Sequence, residues 1–254
     1  MGLNIKEENG FKYIEEGEGD VLLLLHGLFG ALSNWEDVTE KFKSQYRIII
    51  PILPIYDLPL LTTGVTSLAK FLHKFVKFKK LKNIVMLGNS LGGHVGLIFT
   101  LNHPEFVKAL VLTGSSGLYE NSFGGTFPRR ESYDFIKEKA ALTFYDPKFA
   151  TKELVDEVFA TVNDRGRVIR ILAMAKSAIR HNMSKELHKI TIPVCLIWGK
   201  NDTVTPPEVA EEFHNIFQNS ALNWIDKCGH APMMEQPEEF NFYLNKFLER
   251  VLLK

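Results

Sequence analysis

Short apolar runs rich in β-branched residues recur along the chain, separated by longer stretches whose apolar positions fall at helical spacing. Residues 21–25, 48–50, 84–87, 107–112, 194–198 and 222–225 read as strands. Several of them lack polar alternation, the pattern of parallel strands covered on both faces. Between them, Leu68, Phe71, Leu72, Phe75 and Val76 form one apolar helical face. Phe240, Phe242, Tyr243, Phe247, Leu248 and Val251 form another near the C-terminal end. Alternation of this kind predicts an α/β protein: a mostly parallel central sheet flanked by helices, with right-handed crossovers.

One region breaks the rhythm. From about Gly117 to about His188 no strand is evident, and the apolar spacing is helical, with helices expected over residues 130–142, 148–162 and 165–180. Asp146-Pro147 marks a turn there. A helical block between two sheet strands reads as an inserted cap (residues 117–188) on a core made of residues 1–116 and 189–254.

Composition narrows the function classes. The 254 residues balance Lys+Arg 30 against Asp+Glu 30, which gives no electrostatic reason to expect nucleic acid or an anionic membrane as partner. The basic run from Lys74 to Lys82, with Lys74, Lys77, Lys79 and Lys80, reads as a solvated helix face. The first residues do not read as a signal peptide, and no apolar run is long enough for a membrane span. With two cysteines, Cys195 in a strand-like run and Cys228 in a turn, no disulfide framework is expected, and the expected compartment is the cytoplasm. No metal-ligand cluster and no cofactor motif is read.

The chemistry is concentrated in four segments. Gly88-Asn89-Ser90-Leu91-Gly92 runs from a predicted strand straight into a helix, a G-x-S-x-G pattern that holds a serine on a tight, strained turn. Ser90 is the expected nucleophile, raised above the sheet with a helix N-terminus behind it. A serine hydroxyl needs an adjacent base. Among the eight histidines, His230 lies in Cys228-Gly229-His230-Ala231-Pro232, after the last predicted strand and before the last helix. Asp202 follows the preceding strand in Trp198-Gly199-Lys200-Asn201-Asp202. Both emerge at C-terminal strand ends, where open α/β sheets place their sites.

His26-Gly27-Leu28-Phe29-Gly30, directly after an apolar strand, is the expected oxyanion loop. Its donors would be the backbone N–H of Leu28, with Phe29 as the fallback, and that of Leu91. His26 is read as a hydrogen-bonding turn residue, and His94 as a packing residue beneath the site. His73, His103, His181, His188 and His214 are read as surface residues, and Glu235, Glu238 and Glu239 as suiting the positive end of the last helix. Phe29, Phe123, Phe127, Phe144, Tyr145 and Met174 are the residues read as lining a substrate pocket.

Taken together, these segments resemble the α/β-hydrolase superfamily, in its cap-bearing, esterase-like group, over nearly the whole chain. The order Ser90, Asp202, His230 matches the order of that family's catalytic residues. The resemblance implies cofactor-free cleavage of a small carboxylic ester or related acyl substrate through an acyl-enzyme. The elbow also resembles that of carbon–carbon bond hydrolases acting on ring-cleavage products, although those have a Gly-Pro-Gly-rich oxyanion loop. A cofactor-free lyase and a slow receptor-like small-molecule binder are the other readings, and substrate and oligomeric state stay open. One departure from many relatives is the proline-rich, apolar loop at residues 51–61, where a glycine-rich turn is common.

Overall fold

In a strand, neighbouring side chains point to opposite faces, so a sheet covered on both sides needs apolar residues at every position. The computed structural model, which describes residues 4–29, 32–120 and 129–252, has this arrangement. Its strands are β1 (Ile5–Glu8), β2 (Phe11–Glu16), β3 (Val21–Leu25), β4 (Arg47–Pro51), β5 (Ile84–Asn89), β6 (Val107–Thr113), β7 (Val194–Gly199) and β8 (Ser220–Ile225). Its α-helices are α1 (Glu36–Phe42), α2 (Val65–Phe78), α3 (Leu91–Asn102), α4 (Tyr133–Ala141), α5 (Lys152–Asn163), α6 (Arg165–Arg180), α7 (Pro207–Ile216), α8 (Pro232–Glu235) and α9 (Pro237–Leu252).

All the strands join one sheet in the order β1-β2-β4-β3-β5-β6-β7-β8. β2 pairs antiparallel with β1 and β4, and every pairing from β4 to β8 is parallel. Leu23, Leu25, Met86, Leu110 and Leu196 face a core shared with α2, α3 and α7. Their neighbours Leu22, Leu24, Leu87, Val111 and Ile197 face a second core shared with α1 and α9. On α9, Phe240, Phe247, Leu248 and Val251 are buried, whereas Phe242 points to solvent, off the predicted face.

The hairpin β1–β2 does not stand out in the hydrophobic pattern, because the edge strand β1 is largely exposed and β2 buries only Tyr13 and Ile14 among charged residues. Its turn was legible: Asn9 and Gly10 have φ of 50° and 77°, the left-handed pair that an Asn-Gly hairpin requires. The basic run also departs from expectation at Lys79. Lys79 Nζ donates to Glu15 Oε2 at 3.0 Å and to Tyr13 Oη at 3.0 Å, while Arg47 Nε donates to Glu15 Oε1 at 2.8 Å. Burial pushes the Glu15 carboxyl up, but hydrogen bonds from Arg47 and Lys79 outweigh it and hold the group at about 2.

Between β6 and β7 the described α-helices are α4, α5 and α6, and no strand occurs there among the described residues. The helix expected over 130–142 starts at Tyr133, where the Ser132 hydroxyl accepts the Phe135 N–H. The one expected over 148–162 divides into a single 3₁₀ turn, Pro147–Phe149, and α5, whose N-cap is Thr151. The base of the segment is tied together: Met183 N–H donates to Gly117 O at 2.8 Å and Asn182 Nδ2 to Leu118 O at 3.1 Å. Ile136, Val155, Val162 and Val168 form a small core of their own, and Met174 and Ala178 join the main one. Among the described residues no helix is long and apolar enough to cross a membrane, and both cysteines are buried and unpaired.

Candidate active site

The junction of β5 and α3 is too tight for side chains at its glycines. A Cβ on Gly88 would meet the backbone of Gly92 and Gly93, and one on Gly92 would run into the Leu25 carbonyl of β3. Between them Ser90 adopts φ 53°, ψ −123°, a conformation that a residue with a side chain rarely holds. Three backbone bonds keep it there: Ser90 N–H to Thr113 O, and His94 N–H and Ser116 N–H to Ser90 O, each 3.2 Å. As the first residue of α3, Leu91 has an N–H with no intrahelical acceptor.

His230 and Asp202 meet although 28 residues separate them: His230 Nδ1 lies 2.9 Å from Asp202 Oδ2, and both are buried. A carboxylate only accepts, so Nδ1 carries the proton and Nε2 is left with its lone pair. The remaining acceptor positions of Asp202 are filled by Val204 N–H at 2.8 Å, Thr205 N–H at 3.0 Å and Thr205 Oγ1 at 2.8 Å. These bonds fix the carboxylate plane before any substrate arrives.

Several positioning groups escaped sequence reading. Asn89, beside the serine, donates through Nδ2 to Thr113 O and to His230 O, both at 3.1 Å, and so ties the elbow to the histidine loop. Glu235 does not serve the last helix, as expected; it sits at the end of α8 and grips two backbone donors, Gly229 N–H at 2.6 Å and Asp146 N–H at 2.7 Å. His230 N–H itself donates to Thr143 O at 2.8 Å. Thr205 had a signal, an Asp followed three residues later by Thr in a turn; Asn89 and Glu235 had none, because their partners are backbone atoms that loop geometry and, for Thr113, His230 and Asp146, packing of distant segments bring within reach.

The loop after β3 approaches so closely that a Cβ on Gly27 would sit 3.3 Å from the Ser90 Cβ. His26 has the turn role expected of it: its Nε2 accepts Leu53 N–H at 3.0 Å and its Nδ1 lies 2.9 Å from Gly27 O. Burial holds its imidazole below the ordinary range, so it is neutral and unfit as a cationic partner. The atypical loop at 51–61 thus braces the loop after β3, since Tyr56 Oη also donates to Leu28 O at 3.3 Å. Burial pushes that phenol up to about 12. At its far end the loop's Leu58 O accepts from Arg170 Nε at 2.9 Å, on α6.

Ser90, Leu91, Leu28 and His230 all line one cavity of about 190 Å³. Of the residues expected in a pocket, Phe29, Phe144 and Met174 line it. Tyr145 does not; it is exposed, turned outward beside Phe144. Phe123 and Phe127 lie outside the described residues, as does Gly30 of the loop expected to hold the oxyanion. The other walls are mainly aliphatic, with Ile136, Leu154 and Ile171 from α4, α5 and α6. Among the described residues that line it, Glu120, Lys139 and Lys176 carry acidic or basic side chains.

Three histidines read as surface residues, His181, His73 and His103, have ring partners. His181 is not a plain surface residue, because its Nδ1 lies 3.1 Å from His94 Nε2. His94 is fully buried beside it, and burial, reinforced by His181, pushes its imidazole down to about 3. His73 and His103 stack on each other with ring centroids 3.7 Å apart. No group of three or more His, Cys, Asp or Glu side chains suited to a metal ion occurs among the described residues.

The family model for the alpha/beta hydrolase fold matches residues 20–237. An α/β-hydrolase enzyme from the metagenome of sediments of the Mar Chica lagoon, Morocco, has a crystal structure with 47% identity and a TM-score of 0.81, covering 97% of this chain and 98% of its own. The 2-hydroxy-6-oxo-6-(2'-aminophenyl)hexa-2,4-dienoic acid hydrolase of Metapseudomonas resinovorans is 29% identical, over 94% of this chain and 87% of its own. Lipase 3 of Moraxella sp. (strain TA144) is 26% identical, over 85% and 73%.

Proposed function

Because the chain belongs to the α/β-hydrolase fold family, we propose that it is a serine hydrolase cleaving a small carboxylic ester through an acyl-enzyme on Ser90. Ser90 Oγ attacks the ester carbonyl while His230 Nε2 takes its proton, and Asp202 steadies the resulting imidazolium. The N–H groups of Leu28 and Leu91 receive the oxyanion, and His230 returns the proton to the departing alcohol. Water then repeats the sequence on the acyl-enzyme. Residues 117–188 act as a cap over Ser90, on a core of residues 1–116 and 189–254.

The observation that carries this reading is the shared cavity. Ser90 and His230 open onto walls that are largely aliphatic and aromatic, and no arginine is among the described residues lining them. Such walls suit an uncharged acyl or alcohol chain. The relative named as a dienoic acid hydrolase gives the carbon–carbon alternative its footing, with Lys139 and Lys176 as the groups that would meet an acid.

The test is labelling by a fluorophosphonate probe together with hydrolysis of p-nitrophenyl butyrate, in the wild type and in Ser90→Ala. Both signals are expected in the wild type and neither in the variant. Unchanged turnover by Ser90→Ala would refute the scheme. Consumption of a ring-fission dienoic acid without ester hydrolysis would move the assignment to carbon–carbon cleavage, and labelling with negligible turnover of any ester would favour the receptor-like reading.

A further inference from the structure

The mechanism above leaves one acidic side chain in the cavity without a task. Glu120 follows β6 by seven residues and lines the same space as Ser90 and His230, within walls that are otherwise mostly apolar. It is anchored to the elbow. Ser116 Oγ donates to Glu120 Oε2 at 2.5 Å, and Ser116 N–H donates to Ser90 O at 3.2 Å. No ion pair to Glu120 is formed among the described residues, although Lys139 and Lys176 border the same cavity. A carboxyl group in an apolar wall with a neutral hydroxyl as partner is stabilised poorly for a purely structural role.

We propose that Glu120 is a specificity-determining residue of this cavity: it favours esters that present an uncharged hydrogen-bond donor, such as a hydroxyl group, and turns away those that present a second carboxylate. The inference rests on the ester-hydrolase reading and names its substrate class. Whether ionised or protonated, a carboxyl group can accept a hydrogen bond from a substrate hydroxyl. A substrate carboxylate would instead bring a second acid into a poorly solvated space, where like charges repel strongly. Burial already pushes the Glu120 carboxyl above its ordinary value, with the Ser116 bond and His230 acting the other way. The selection therefore distinguishes this site from one adapted to dicarboxylic ring-fission products.

The experiment compares kcat/KM for two ester series in the wild type, Glu120→Gln and Glu120→Leu, with melting temperatures confirming that each variant is folded. The acyl series is ethyl butyrate, ethyl 3-hydroxybutyrate and monoethyl succinate; the alcohol series is butyl acetate, 3-hydroxybutyl acetate and 4-acetoxybutyrate. In at least one series the wild type should prefer the hydroxylated ester over the acid-bearing one by about tenfold or more. Glu120→Gln should relieve the handicap of the acid-bearing ester by about tenfold, and Glu120→Leu should abolish the advantage of the hydroxylated one. The series that responds identifies the side of the ester that Glu120 meets. If either variant does not fold, Ser116→Ala, which removes the carboxyl group's anchor, carries the test with a weakened preference expected. Wild-type ratios that persist in the variants, in both series, would overturn the role of Glu120 while leaving the ester reading intact. A wild type that hydrolyses none of the six esters would overturn both.

Discussion

Replacing Glu235 by Gln probes how the histidine loop is held. The carboxylate is 4% exposed and accepts two backbone donors from different parts of the chain, Gly229 N–H at 2.6 Å and Asp146 N–H at 2.7 Å. Glutamine keeps the shape but has one acceptor and one donor, so one of the two N–H groups must face an NH2 group. The retained bond also loses its charge assistance. Losing one bond to a charged group and leaving a buried N–H unpaired amounts to about 3–4 kcal/mol. For a domain of this size that corresponds to a fall of roughly 6–16 °C in melting temperature.

The consequence should reach the chemistry as well, because Gly229 immediately precedes His230. Misplacing the imidazole is expected to lower kcat by about 10- to 100-fold, with a smaller change in KM. Urea denaturation followed by circular dichroism gives the stability change, and initial rates with a short p-nitrophenyl ester give the kinetic one. A stability loss below about 1 kcal/mol would refute the argument, since it would mean that the two N–H groups find other partners at little cost.

Asp202→Asn keeps an acceptor for the N–H groups of Val204 and Thr205 but turns an NH2 group toward His230; kcat for the ester should fall by about 10⁴ while the melting temperature changes little. Glu15→Gln tests the ion cluster at the sheet edge. Glu15 is held at about 2 against an ordinary 4.5, so its contribution is complete above about 4.5 and fades as the pH falls toward 2. The variant should therefore be less stable by about 1–2 kcal/mol at pH 7, allowing for solvent screening, and converge on the wild type near pH 2 in urea melts. Gly92→Ala would force a methyl group into the Leu25 carbonyl, so α3 must lift from β3; a loss of about 3 kcal/mol or more is expected by thermal melting, and an unchanged midpoint would contradict the packing.

Much of the architecture was legible because it rests on local rules. The central strands β3, β5 and β7 are buried at every position, which only a sheet covered on both sides explains, and α6 was read at its observed limits from spacing alone. Ser90 announced itself through glycines that sterics demands on either side of it. The hairpin β1–β2 showed the limit of hydrophobic patterning: β1 is largely exposed, β2 buries only Tyr13 and Ile14, and the Asn9-Gly10 turn was the signal that mattered.

What only the tertiary structure decided is which distant groups meet. Nothing local in Glu235, Asn89 or Tyr56 marks a partner, since their acceptors and donors are backbone atoms brought near by the sheet order and the loops above it. The same holds for Glu120, whose significance lies in the apolar cavity around it rather than in its neighbours along the chain. Sequence periodicity records whether a residue faces inward, because that repeats every two or 3.6 positions. It carries no record of long-range hydrogen-bond partners, because those depend on how the elements pack in three dimensions.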